Sequence, residues 1–156
     1  MPTSESRAEL ANMVSEVFEL MKIASTARAR ARSGTGEEVS EPEFLTLDAL
    51  IDHEPQTVGE IQKTIGVLPA QMSRIIRSLE HKQHGAFVTC TINSQDRRKI
   101  DLRITARGRK AHDDYRAARI GFVTSLLNDL TPADRARFMG IVRKMRASIQ
   151  QRLVGS

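Results

Sequence analysis

The residues of this chain best suited to chemistry are cations at the end of two strands. Asp96-Arg97-Arg98-Lys99 is preceded by Phe87-Val88-Thr89-Cys90-Thr91-Ile92 and followed by Ile100-Asp101-Leu102-Arg103-Ile104. Both flanks alternate with period two, which predicts two half-buried strands joined as a hairpin. Val88, Cys90 and Ile92 share one face of the first strand. Ile100, Leu102 and Ile104 share the matching face of the second. From Arg97 to Lys110 there are seven cations and one acid, Asp101. Such clustering suits binding of a polyanion rather than catalysis. A solvated basic face is the competing reading.

A second set lies upstream. The stretch from Leu68 to Glu80 reads as a helix with Met72, Ile75, Ile76 and Leu79 on one apolar face. Ala70, Gln71, Ser73, Arg74 and Arg77 point elsewhere, a small, polar and basic surface. In the major groove Gln can pair with adenine and Arg with guanine. An ordinary amphipathic helix would show the same spacing. Its position after a short capped helix and a glycine turn favours a recognition helix.

These two sets need a frame, and the rest of the chain supplies it. Ser4 to Arg32 is helical, with Leu10, Val14, Val17, Phe18 and Met21 at three- and four-residue steps. Arg28, Arg30 and Arg32 suit the negative end of its dipole. Gly34 and Gly36 fall in a polar stretch expected to be a loop up to Val39. Ser40-Glu41-Pro42-Glu43 is a capping box, opening a helix with Phe44, Leu47, Leu50 and Ile51. His53-Glu54-Pro55-Gln56 stops it. Thr57-Val58-Gly59-Glu60 is a second box, opening a short helix with Val58, Ile61 and Ile65 inside and Gly66 at its end. After the hairpin, Thr105 caps a long helix to about Leu130, with Ala111, Tyr115, Ala118, Phe122 and Leu126 along one side. Thr131-Pro132 opens the last helix, whose stripe is Phe138, Ile141, Val142, Met145, Ile149 and Leu153.

The expected fold is therefore mainly α with a small β-hairpin wing: a winged helix-turn-helix plus long terminal helices. We expect an N-terminal helix and loop over 1–39, the DNA-binding region over 40–104 and C-terminal helices over 105–156, as one intertwined domain. The terminal helices carry more apolar surface than a small winged core can cover, so a second copy of the chain is their natural partner. Leu10, Val14, Phe18, Tyr115, Phe122, Leu126, Phe138, Ile141, Met145 and Ile149 are the expected dimer contacts.

Bulk composition agrees. The chain has 156 residues, 40% of them hydrophobic and 4% aromatic, with no Trp, so its core must rest on aliphatic side chains. That length buries a core without disulfide or metal staples. Cys90 is the single cysteine, which excludes an intrachain disulfide. The polar start, Met1 to Arg7, lacks the apolar core of a signal peptide, and no apolar run reaches membrane-spanning length. A cytoplasmic location with no membrane partner is expected.

Catalytic and metal sites find little support. No nucleophile motif, phosphate loop or dinucleotide fingerprint is present. Glu37 and Glu38 fall in the expected loop, and Asp113 and Asp114 on a helix surface, so neither reads as a buried carboxylate pair. His81, His84 and Cys90 hint at ligand spacing without a supporting motif. His53 and His112 read as isolated surface residues. Cys90 reads as a small buried hydrophobe. No enzyme activity, cofactor or metal is expected.

Two stretches resemble the MarR family of multiple-antibiotic-resistance regulators. One is Ile65-Gly66-Val67 leading into Ser73-Arg74-Ile75-Ile76 and Leu79-Glu80, similar to the family's recognition-helix pattern. The other is Asp96-Arg97-Arg98 with Ile104-Thr105-Ala106-Arg107-Gly108, similar to its D-x-R wing and LT-x-x-G helix start. The element order matches from about Leu10 to Leu153. The resemblance implies a homodimeric transcription factor, often a repressor released by a small ligand. It implies that Asp96 orients the wing while Arg98 or Arg97 enters the minor groove, where negative potential is strongest. Pro69, Ala70, Gln71, Ser73, Arg74 and Arg77 would meet the major groove or nearby backbone. Arg97, Arg98 and Lys99 would flank them. A ligand, implied by family alone, would sit near Met21, Phe44 and Leu47, which by themselves read first as plain core. Two departures stand out. Leu68 takes the place of the family's Ser or Thr cap, and Gln83-His84-Gly85-Ala86 lengthens the approach to the wing. The alternative function is a winged-helix module that binds protein.

Overall fold

The computed structural model describes residues 4–32 and 39–154. The side chains of Arg28, Arg30 and Arg32 lie outside the described residues, as do Gly34, Gly36, Glu37 and Glu38. The elements run α1 (Ser4–Arg32), α2 (Glu41–Asp52), β1 (Gln56–Thr57), α3 (Val58–Ile65), α4 (Pro69–Glu80), β2 (Val88–Ile92), β3 (Ile100–Ile104), α5 (Ala106–Asn128) and α6 (Pro132–Val154). The chain divides into two compact units, Met1–Arg116 and Ala117–Ser156. No helix among the described residues is long and apolar enough to cross a membrane.

Local signals set the helix boundaries. At α2, Ser40 Oγ accepts from the Glu43 N–H, and the Glu43 carboxylate accepts from the Ser40 N–H at 2.7 Å. Thr57 and Glu60 make the same reciprocal box at α3. The Thr57 hydrogen bonds hold the Glu60 carboxyl below its ordinary pKa. Gly66 ends α3 with φ +68°, a left-handed conformation that glycine adopts without steric penalty. Thr105 Oγ1 accepts from the Gly108 N–H at 3.0 Å and donates to the Ala86 carbonyl at 2.7 Å, capping α5 while fastening it to the wing's base. Thr131 caps α6 through the Asp134 N–H at 3.2 Å.

The core of the first unit gathers Leu47 and Leu50 of α2, Ile61 of α3, Met72, Ile75 and Leu79 of α4, and Phe87, Val88, Leu102 and Ile104 from the wing. These are the inward residues of each amphipathic pattern, and their burial drives the assembly. The sheet is antiparallel in the order β1-β3-β2. In the hairpin, Val88 faces Ile104, Cys90 faces Leu102 and Ile92 faces Ile100. The two-residue strand β1, which no periodicity could announce, pairs Gln56 with Leu102 and Thr57 with Asp101.

Three expectations need correction. The apolar face of the wing is continuous but is buried only at its base. Ile92 and Ile100 are exposed, because the outer end of the hairpin extends past the helices that cover Val88, Leu102 and Ile104. Cys90, midway, is half-buried rather than a full core residue. His112 is not a surface residue. It is buried, stacked on Phe44 at 5.0 Å, with Nε2 donating to Asp48 Oδ1 at 2.7 Å and Nδ1 lying 3.2 Å from Asp113 Oδ1. Phe44 and Asp48 are one turn apart on α2, so that helix offers the imidazole a face and an acceptor together.

Candidate nucleic-acid interface

The recognition candidate is α4. Its inner side is closed by Met72, Ile75 and Leu79, all buried, with Ile76 half-buried. Pro69, Ala70, Gln71, Ser73, Arg74 and Arg77 are all exposed. Leu68 occupies the N-cap but has no side-chain acceptor, so only the return half of a capping box forms. Gln71 Oε1 accepts from the Leu68 N–H at 3.1 Å. The Ser73 hydroxyl donates to the Pro69 carbonyl at 3.1 Å. Pro69 at the first helical position fixes φ for the helix and has no N–H to leave unpaired.

The wing tip is a tied loop. Asn93 Oδ1 accepts from the N–H groups of Gln95 and Asp96, at 3.0 and 2.8 Å. Its amide donates to Asp101 Oδ1 at 2.8 Å, anchoring the turn to β3. Asp96 Oδ1 accepts from both the backbone N–H and Nε of Arg98, each at 3.1 Å. These Arg98 hydrogen bonds, side chain first, hold the Asp96 carboxyl below its ordinary pKa. The Arg98 side chain remains 90% exposed while it is held. Its guanidinium is thus aimed without being covered, and Arg97 and Lys99 are exposed beside it.

A family model for the MarR family matches residues 39–100, the span from the start of α2 to the start of β3. The matched span is the winged helix-turn-helix of the chain. Among solved structures, this chain is similar to YusO from Bacillus subtilis at 20% identity and a TM-score of 0.70, covering 94% of this chain and 99% of that one. It is similar to FabT of Streptococcus pneumoniae in complex with DNA, at 16% identity and a TM-score of 0.69, covering 93% and 98%. It is also similar to the PcaV transcriptional regulator of Streptomyces coelicolor in complex with its natural ligand, at 15% identity and a TM-score of 0.61, covering 96% and 99%. At these identities the likeness is one of fold. No curated protein matches the chain. The family match over the winged helix-turn-helix supports a DNA-binding transcriptional regulator.

Within the winged helix-turn-helix, α4 and the wing stand on one frame, since α4 packs against β2 and β2 against β3. The residues expected at a dimer contact divide. Leu10, Val14 and Phe18 on α1 are exposed, as are Leu126 on α5 and Phe138, Ile141, Met145 and Ile149 on α6. Tyr115 and Phe122 are half-buried, and Tyr115 stacks on Phe44 at 4.5 Å. Of the residues linked to a ligand, Leu47 is fully buried, Phe44 lies within the aromatic stack and Met21 is exposed. Among the described residues no group of three His, Cys, Asp or Glu could hold a metal ion.

Sequence reasoning missed Asn93, the second organiser of the wing. Its signal was an Asn at the end of a strand followed by Ser, a usual start for a side-chain-stabilised turn. It also missed the ion pair between Glu43 and Lys82, whose partners are too distant in sequence for any spacing rule.

Proposed function

We propose that this regulator works as a homodimeric repressor on a pseudo-palindromic operator. The region 40–104 would be the DNA-binding head, and 1–39 with 105–156 would form the dimer. Each α4 enters the major groove of one half-site, with half-sites about one helical turn (~10 bp) apart. Gln71, Ser73 and Arg74 meet bases or nearby phosphates, Arg77 meets the backbone, and Pro69 and Ala70 lie close to the groove. Arg97, Arg98 and Lys99 reach the minor groove or its phosphates. The observation that carries this reading is the wing tip: a guanidinium held in place by Asp96 yet almost wholly exposed. A surface that binds only protein has no need for a cation so arranged.

Dimerisation is supported by the large apolar residues left uncovered along α1, α5 and α6 in the single chain. Release by a small molecule is supported by the similar fold of a regulator solved with its natural ligand. We place the protein in the cytoplasm, where its operator would be.

The test is selection of random-sequence duplexes by the purified protein, followed by affinity measurements across a salt series. An enriched palindrome, with log affinity falling by about 0.9 per phosphate contact for each log unit of salt, is the expected result. Weak, unselective binding would instead favour the protein-interaction reading. Arg74→Ala should relax the selected sequence at one position per half-site, a discrimination worth about 1–3 kcal/mol. An unchanged preference would remove Arg74 as a base reader.

A further inference from the structure

The first turn of α4 offers DNA few free polar groups. The Gln71 carbonyl oxygen accepts from the Leu68 N–H, the Ser73 hydroxyl donates to the Pro69 carbonyl, and Pro69 has no N–H. Apart from the Gln71 side-chain NH2, what is left facing outward there is carbon. Leu68 is 69% exposed, and Pro69 and Ala70 are exposed beside it. The core does not explain Leu68, because Met72, Ile75 and Leu79 close the inner side of the helix without it. Capping does not explain it either, since leucine has no side-chain acceptor. The same helix carries the exposed cations Arg74 and Arg77, which suit an anionic partner rather than an apolar one. A surface that is aliphatic at its tip and cationic behind matches one feature of a DNA groove. In the major groove the base edges are donors and acceptors, with a single apolar group, the C5-methyl of thymine.

We propose that Leu68 and Ala70 read thymine, packing on C5-methyl groups in the major groove, with Pro69 between them. This rests on the DNA-binding reading above and adds to it the base that the start of the helix selects. Arg74 and Arg77 then supply the charge, while the carbon surface supplies preference at the outermost contacted positions.

Deoxyuridine isolates the claim, because it removes the methyl and leaves every hydrogen-bonding atom of thymine in place. In the selected operator, each thymine is replaced singly by deoxyuridine and affinity is measured. At least one replacement per half-site should weaken binding by about threefold to fivefold, the effect of burying one methyl group. Leu68→Ser, at an exposed site where serine is a favoured cap, folds without penalty. It should bind the thymine and deoxyuridine operators equally at the position Leu68 faces. If the unaltered protein selects an operator yet tolerates deoxyuridine everywhere, the thymine inference is wrong and the DNA reading stands. A Leu68→Ser protein that keeps full discrimination overturns the role of Leu68. If no sequence is selected at all, the DNA reading fails, and this inference with it.

Discussion

Lys82 Nζ lies 2.7 Å from Glu43 Oε1, joining the residue just past α4 to the first turn of α2. Both side chains are largely buried, and Lys82 also lies over the Phe87 ring at 5.7 Å. One carboxylate therefore serves two purposes: Oε2 completes the α2 capping box and Oε1 binds the lysine. Burial alone would raise the Glu43 pKa. Hydrogen bonds from Lys82, the Ser40 backbone and Ser78, with the Lys82 charge, outweigh burial and hold it below the ordinary 4.5.

That balance predicts an acid-labile contribution to stability. A carboxylate with a lowered folded pKa contributes stability that is fully present above its unfolded pKa, near 4.5. The contribution disappears as the pH falls through the folded value. Glu43→Gln leaves a buried lysine without its charge partner and should lower stability at neutral pH by on the order of 3 kcal/mol. Denaturant titrations of both proteins at neutral pH and well below pH 4.5 should show the gap narrowing in acid. A gap of constant size would mean that the charge of Glu43 is not the source.

Gly108 is required for space. A Cβ there would stand 2.1 Å from the Phe87 carbonyl oxygen and 2.9 Å from Ile104 Cγ1, and backbone cannot yield as a flexible side chain can. Gly108→Ala should destabilise the fold by about 3 kcal/mol, the upper part of the usual range for overpacking. The melting temperature reads this directly. Near-native melting would mean that α5 can shift off the wing's base.

At the wing tip, charge and placement can be separated. Arg98→Ala removes a cation and should weaken operator binding by roughly tenfold, with a salt slope shallower by about 0.9. Asp96→Ala keeps all three cations but frees Arg98 from its three carboxylate contacts. It should lower affinity several-fold while leaving the slope nearly unchanged. Matching slopes in the two variants would deny that Arg98 meets DNA.

Cys90 should be inert. Burial, then the Glu80 hydrogen bond and charge, push its thiol up to about 12. The thiolate is the reactive form, so labelling of the native protein at mildly alkaline pH should be on the order of a hundredfold slower than after unfolding. Peroxide should leave operator affinity unaltered. Equal labelling rates in the two states would reopen a redox role.

Much of this was legible from local signals. The boxes Ser40–Glu43 and Thr57–Glu60, the glycine stop at Gly66 and the period-two flanks of the wing depend on neighbours a few residues apart, and each appears where the pattern places it. The Asp96–Arg98 contact was expected from the family resemblance, not from spacing. What escaped reading depends on distant partners. Ile92 and Ile100 continue an apolar pattern, but whether a residue is covered depends on how far the helices reach. The burial of His112 depends on Phe44 and Asp48, which lie on another helix. Within the candidate interface, residue types indicated a polar first turn of α4. The structure turns the Gln71 carbonyl oxygen and the Ser73 hydroxyl back onto the backbone and leaves Leu68 exposed.

The two-residue strand β1 has a consequence for the way DNA is measured. Thr57 caps α3 and also pairs with Asp101 on β3, while Asp101 accepts from the Asn93 amide at the wing's tip. A short chain of contacts thus runs from α3 to the far end of the hairpin, and in the proposed complex wing and recognition helix would act as the two jaws of a caliper. The step from a major-groove contact to its neighbouring minor-groove contact would then be a property of the protein. Duplexes whose grooves do not match that gap must bend or change groove width to be held, so an operator can be chosen for its stiffness at base pairs that no side chain touches.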